Sequence, residues 1–228
     1  DEQAEIILFE RGPYVSFANC GLPYYIGGDI ADRDALLLQT PESFRKRHRV
    51  KVHVLHEVIR IDRQSKRLEV RNISTNQIFF EPYDKLILSP GAGAIIPPLP
   101  GVSAENIFTV KTVPDSDVIK EYIQRNNPHR VVVGGAGFIG LEMAEALKRL
   151  GLDVTIIELL PQVLPPFDPD VAMFVSRHLE DHGIEVVLSD GIKAFHGSPL
   201  ANEIELQSGR RFPMDFAILS LGVRPELK

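Results

Sequence analysis

Two sets of residues in this 228-residue sequence have the types and spacing to do chemistry. The first is a lone cysteine, Cys20, in the run Tyr14-Val15-Ser16-Phe17-Ala18-Asn19-Cys20-Gly21-Leu22-Pro23-Tyr24-Tyr25. Its small, polar and glycine neighbours suit a partly accessible thiol near backbone N–H donors, where the nucleophilic thiolate is favoured. A cysteine packed as a small hydrophobe fits the same composition. The second set is Gly135-Ala136-Gly137-Phe138-Ile139-Gly140, which follows an apolar strand-like run and opens a helical pattern. That context separates G-x-G-x-x-G from a chance match. Gly135 allows the tight turn, Gly137 lets a pyrophosphate approach the backbone, and Gly140 lets helix and strand pack closely. The first-turn N–H groups around Phe138 and Ile139 then face the phosphates. Glu158 ends the next strand-like run, about 20 residues on, where a carboxylate accepts from the ribose 2′-OH. It would repel a 2′-phosphate, and no arginine follows it directly. The expected ligand is NAD(P)H, with NADH favoured.

Three further groups carry weaker signals. Ile6 to Phe9 followed by Glu10 has the same form as Ile156-Ile157-Glu158, so Glu10 is either a second ribose carboxylate or an ordinary strand end. The run Arg45-Lys46-Arg47-His48-Arg49 suits an anionic substrate, although a solvated helix face is the simpler reading. His53 and His56 have no cysteine or carboxylate at ligand spacing, so no metal site is expected.

The elements that must hold these residues read as two architectures. Up to about residue 110 there is a strand ending at Glu10, then a Gly/Pro-punctuated loop with a short helical piece through Gly28. A helix capped by Thr40 with Pro41 at its first position follows. Alternating runs at Val50–Asp62, Arg67–Ile73 and Gln77–Phe80 predict an antiparallel layer, and Tyr83–Ser89 a further strand. The proline-rich stretch Pro97–Gly101 is the expected connector. Beyond it, helices at 115–127, 138–150 and 170–182 alternate with strands at 130–133, 154–157 and 184–188, the pattern of a parallel sheet. The tail, Glu203–Gln207 then Phe216–Leu221, reads as a hairpin. The fold class is α/β: a partial FAD-binding Rossmann-like domain with an antiparallel β layer at 1–110, then a complete Rossmann-type NAD(P)-binding domain at 111–228.

Composition narrows the function class. With 44% hydrophobic and 25% charged residues the chain is that of an ordinary globular protein with a real core. A net charge of −6 gives no global reason to bind nucleic acid. No apolar run approaches the ~20 residues of a transmembrane helix. One cysteine builds no disulfide framework and favours a reducing compartment, so a cytoplasmic location is expected.

The segment Ser16-Phe17-Ala18-Asn19-Cys20-Gly21-Leu22-Pro23-Tyr24 closely resembles the single-cysteine loop of coenzyme A-disulfide reductases and NADH-dependent persulfide reductases, within the pyridine nucleotide-disulfide oxidoreductases. Order along the chain supports it: Glu10-Arg11, the cysteine loop, Leu38 to Phe44, Tyr83 to Ala92, the glycine loop, and Leu221-Gly222-Val223-Arg224-Pro225. The resemblance implies an FAD enzyme in which Glu10 holds the adenosine ribose, beside Arg11. Val58 would lie in the strand next to the adenine. Ser89, Pro90 and Gly91 would belong to the segment closing over FAD, with Gly222 in the later nucleotide-contacting turn. Cys20 would lie against the flavin as the catalytic thiol. Ser16, Asn19 and Thr40 match positions near bound coenzyme A, and Glu142 would face the nicotinamide and flavin. The same resemblance places an FAD glycine loop before Asp1 and a dimerisation domain after Lys228. A homodimer is therefore implied at full length, and this piece alone is expected to lack full activity. The implied rivals are an NADH oxidase or peroxidase working through a cysteine sulfenic acid, and an inert nucleotide-binding module.

Overall fold

A computed structural model describes residues 3–227, which divide into two compact units. The first takes in the residues up to Ala18 together with Arg33–Ser89, and the second takes in Asn19–Asp32 and the chain from Pro90 onward. The cysteine loop thus belongs by contact to the second unit, as do residues 90–110. No helix among the described residues is long and apolar enough to cross a membrane.

In chain order the elements begin with β1 (Ile6–Glu10), β2 (Ser16–Phe17) and helix α1 (Leu22–Gly27). Strand β3 (Leu37–Gln39), helix α2 (Pro41–His48), β4 (Val50–Val54) and β5 (His56–Asp62) follow. Strands β6 (Arg67–Asn72) and β7 (Ile78–Pro82) complete the first unit. Helix α2 opens as expected, in a capping box: the Thr40 hydroxyl accepts from the Ser43 N–H and the Thr40 N–H donates to the Ser43 hydroxyl.

The expected antiparallel layer forms only in part. Strands β5, β6 and β7 pair antiparallel, but β4 pairs parallel to β1, Glu10 opposite Val54. Leu55, at φ 56°, breaks the run Val50–Asp62 into two strands with different partners. Alternation alone does not register such a break. Tyr83–Ser89 is not a strand either: Ile87 is 88% and Leu88 66% exposed. An apolar run becomes a strand only where a neighbour pairs its backbone, and no described strand does so here.

The second unit continues with β8 (Ala92–Ala94), β9 (Ile107–Phe108), α3 (Val113–Asn126) and β10 (Arg130–Gly134). Then come α4 (Phe138–Arg149), β11 (Asp153–Ile157), α5 (Pro169–Asp181) and β12 (Glu185–Val187). Strands β13 (Ile192–His196), β14 (Glu203–Leu206), β15 (Arg211–Pro213), β16 (Phe216–Leu219) and β17 (Val223–Pro225) close the order. A five-stranded parallel sheet runs β12-β11-β10-β16-β9. Its apolar runs are buried, as expected of strands covered on both faces.

The expected tail hairpin is corrected here. Strand β14 turns back into β15, while β16 enters the parallel sheet beside β10, Val131 opposite Phe216. A four-residue apolar strand gives no sign of its partner's direction. The antiparallel sheet β13-β14-β15 covers the parallel sheet through Phe195, Ile204, Leu206 and Met214 against Val132, Ile157 and Leu219. The proline-rich stretch is not a free linker, because the Phe195 N–H donates to the Pro100 carbonyl at 2.8 Å.

Candidate functional site

The glycine turn is forced by sterics at two of its three glycines. Gly135 has φ +98°, and a Cβ there would sit 2.5 Å from the Ser220 carbonyl oxygen. A Cβ on Gly140 would sit 2.0 Å from the Gly135 carbonyl oxygen, so only glycine lets α4 start this close to β10. Gly137 differs: nothing lies within 4 Å of its Cβ position. That open face lies at the N-cap of a 12-residue helix, where no side chain caps the first N–H groups. The cradle fits a dinucleotide pyrophosphate by shape and by donors.

Glu158 is buried at 8% exposure and tied to the turn. Its Oε2 accepts from the Ala136 N–H at 2.7 Å and its Oε1 from the Leu160 N–H at 2.9 Å. Each carboxylate oxygen keeps a second lone pair for a ribose hydroxyl. The loop after Glu158 also folds back, with the Leu164 N–H donating to the Ala136 carbonyl and Phe167 edge-on to Phe138 at 5.9 Å. Phe138 and Ile139 are exposed at the mouth of the turn. On α4, Glu142 has its carboxyl raised above the usual range by burial and then by the charge of Glu145.

Cys20 is free and exposed, in a single 3-10 turn that leads into α1. Helix α1 buries Leu22, Pro23, Tyr25 and Ile26, and it packs against α3 and α4. Gly27 lets the backbones close up, since a Cβ there would meet the Ala146 Cβ at 2.9 Å. The Lys120 ammonium lies 3.9 Å from the centroid of the Tyr25 ring and donates to the Tyr25 carbonyl at 2.8 Å. The Tyr25 hydroxyl donates to Asp117, and Arg149 pairs with Asp29 at 2.7 Å. The thiol-bearing turn is thus anchored on the helix that begins at the glycine turn. Sequence reasoning did not find Lys120, Asp117 or Ala146, because nothing local marks a helix face as the seat of another segment.

The remaining candidates fall into two groups, one in each unit. In the first unit, pairing of β2 with β3 sets Ser16 opposite Gln39 and so brings Ser16 close to Thr40. Glu10 accepts from the Gly12 N–H at 2.6 Å, and Arg11 pairs with Glu57 at 3.7 Å. Val58 is partly exposed at a bulge of β5, and Ser89 is exposed. In the second unit, β8 and β17 pair antiparallel and bring Gly91 and Gly222 to one ribbon, beside Pro90. Both glycines have positive φ, +73° and +100°. Asn19 is exposed beside Cys20. The basic run lies in the last turn of α2, where Arg45 and Arg49 line a shallow depression with Lys51 and Glu5. Among the described residues no group of three or more His, Cys, Asp or Glu is placed to hold a metal ion.

A family model for pyridine nucleotide-disulphide oxidoreductases matches residues 1–228. All of the chain aligns with 51% of an NADH oxidase of Methanocaldococcus jannaschii, at 36% identity. All of it likewise aligns with 50% of a coenzyme A disulfide reductase of Staphylococcus aureus, at 38% identity. The solved structure of reduced Bacillus anthracis CoADR-RHD is similar with a TM-score of 0.96 and 45% identity, over 99% of this chain and 40% of that one. The chain spans about half the length of these curated relatives. FAD and NAD(P)H are the cofactors of the matched family and its structural neighbours. A match over the whole chain, together with a glycine turn, a ribose carboxylate and a single exposed thiol in one fold, settles the membership: the chain belongs to the pyridine nucleotide-disulphide oxidoreductase family.

Proposed function

We propose that this chain is the electron-entry and thiol-bearing part of an NADH-dependent flavoprotein that reduces coenzyme A disulfide or a persulfide. The observation that carries the reading is the seating of Cys20, exposed and free, on a helix packed against the α4 that starts at the glycine turn. Residues 1–110 would serve the flavin side and 111–228 the nicotinamide side.

The glycine turn Gly135–Gly140 would hold the NADH pyrophosphate, and Glu158 the adenosine ribose. Phe138 and Ile139 border the mouth, and Glu142 would face the ring end. Glu10, Arg11, Val58, Ser89, Pro90, Gly91 and Gly222 would meet FAD, and Ser16, Asn19 and Thr40 the coenzyme A moiety. When bound, FAD supplies the two-electron link between nicotinamide and sulfur. As thiolate, Cys20 attacks one sulfur of the substrate disulfide. A Cys20–substrate S–S bond forms, the substrate S–S bond breaks, and the first thiol leaves with a proton from solvent. The two electrons of NADH then cleave the mixed disulfide, freeing the second thiol and restoring Cys20. The sum is disulfide plus NADH plus one proton to two thiols plus NAD+. One protein cysteine suffices because the substrate brings the second sulfur.

Coenzyme A disulfide added to the purified chain should raise its mass by one coenzyme A unit at Cys20, and Cys20→Ser should abolish the adduct. A second reading is favoured by the 36% identical NADH oxidase: oxygen reduction with Cys20 passing through a sulfenic acid. Turnover of the full-length enzyme separates the two. Coenzyme A disulfide reduced faster than oxygen supports the first, and the reverse order sinks it.

A further inference from the structure

Among the described residues, one buried side-chain polar atom has no hydrogen-bond partner, the Oγ of Ser220. Ser220 directly follows β16, and its N–H donates to the Gly134 carbonyl at 2.7 Å. It therefore backs onto the dinucleotide turn. Its carbonyl oxygen is the atom that bars a side chain at Gly135, and its Cβ lies 3.6 Å from the Cβ position of Gly140.

The place matters as much as the missing partner. From β10 the chain crosses through α4 to β11 and β12 on one side, while β16 and β9 lie on the other. The sheet order thus reverses between β10 and β16, and in open parallel sheets ligands bind in the crevice outside the strand ends at that point. Ser220 stands at the carboxyl end of the strand that forms one wall of this crevice. A buried hydroxyl without a partner is a net cost to the free molecule and calls for an explanation such as a ligand or a water.

We propose that Ser220 is a further positioning residue of the dinucleotide site. Its hydroxyl, unpaired in the ligand-free chain, turns about the Cα–Cβ bond and donates to the bound pyrophosphate, directly or through one shared water. No protein partner holds the hydroxyl in its buried position, and the residue as a whole is only partly buried. This inference rests on the reading of Gly135–Gly140 as a dinucleotide site.

The test compares the unmodified chain with Ser220→Ala, using NADH and ADP-ribose as ligands and urea unfolding without ligand. The expected result is a dissociation constant weakened about three- to tenfold for both ligands, the size of one lost hydrogen bond. Unfolding without ligand should be unchanged or shifted to higher urea, because the variant removes an unsatisfied group. Equal affinity in chain and variant overturns the inference. So does a loss of affinity accompanied by a lower urea midpoint, which marks a structural role. A loss for NADH but not ADP-ribose overturns the pyrophosphate assignment. Failure of the unmodified chain to bind either ligand overturns the site reading itself.

Discussion

Glu158 serves two purposes with one carboxylate. It closes the loop by accepting from Ala136 and Leu160, and it presents oxygen where a ribose is expected. Glu158→Ala leaves the buried Ala136 N–H unpaired, which costs about 1–3 kcal/mol. We expect the variant to unfold at lower urea and to lose most of its preference for NADH over NADPH, read as the ratio of the two dissociation constants. Gly137 and Gly140 make a second contrast. Gly137 has φ −77° and open space at its Cβ position, so Gly137→Ala changes stability by less than about 1 kcal/mol while filling the face a pyrophosphate must approach. Gly140→Ala drives a Cβ into the Gly135 carbonyl and costs about 1–3 kcal/mol of stability. NADH titration with parallel urea curves should show binding lost in both and stability lost only in the second.

At the scale of elements, the legible parts of the sequence were those whose signal is local. The Thr40 and Pro41 helix start, the strand-turn-helix around Gly135 and the three βα repeats all follow from caps, glycines and apolar periods within a few residues. What was not legible depends on partners distant in sequence. Strand β16 pairs with β10 across more than eighty residues, β4 with β1 across more than forty, and the seat of α1 on α3 and α4 is further still. The charged hairpin is another such case. Glu205 on β14 meets Lys193 and His196 of β13 and Arg211 of β15, and hydrogen bonds from Lys193 and then His196 hold its carboxyl down at about 2. A carboxyl lowered by folding stabilises the fold above its unfolded value of 4.5 and loses that effect as pH falls toward 2. Glu205→Gln should therefore melt below the unmodified chain at neutral pH. The gap should narrow below about pH 4.5 and close near pH 2 in thermal scans.

On the scale of the molecule the two units differ in how much core they own. Of the buried hydrophobic residues, only Leu36, Leu68 and Val70 lie in the first unit, and the parallel sheet of the second holds most of the rest. Backbone protection follows buried apolar contact, so the units need not open together. Hydrogen exchange should be faster in β5, β6 and β7 than in β10 and β16, and urea unfolding followed by different probes should not superimpose. The dinucleotide site belongs wholly to the second unit, and a ligand stabilises only what it binds. NADH at about one hundred times its dissociation constant should add about 2.7 kcal/mol to the opening of β10, β11 and β16. Exchange in β5 to β7 should not change. If NADH instead slowed both regions equally, the chain would unfold as one cooperative body, and the separate cores would carry no energetic meaning.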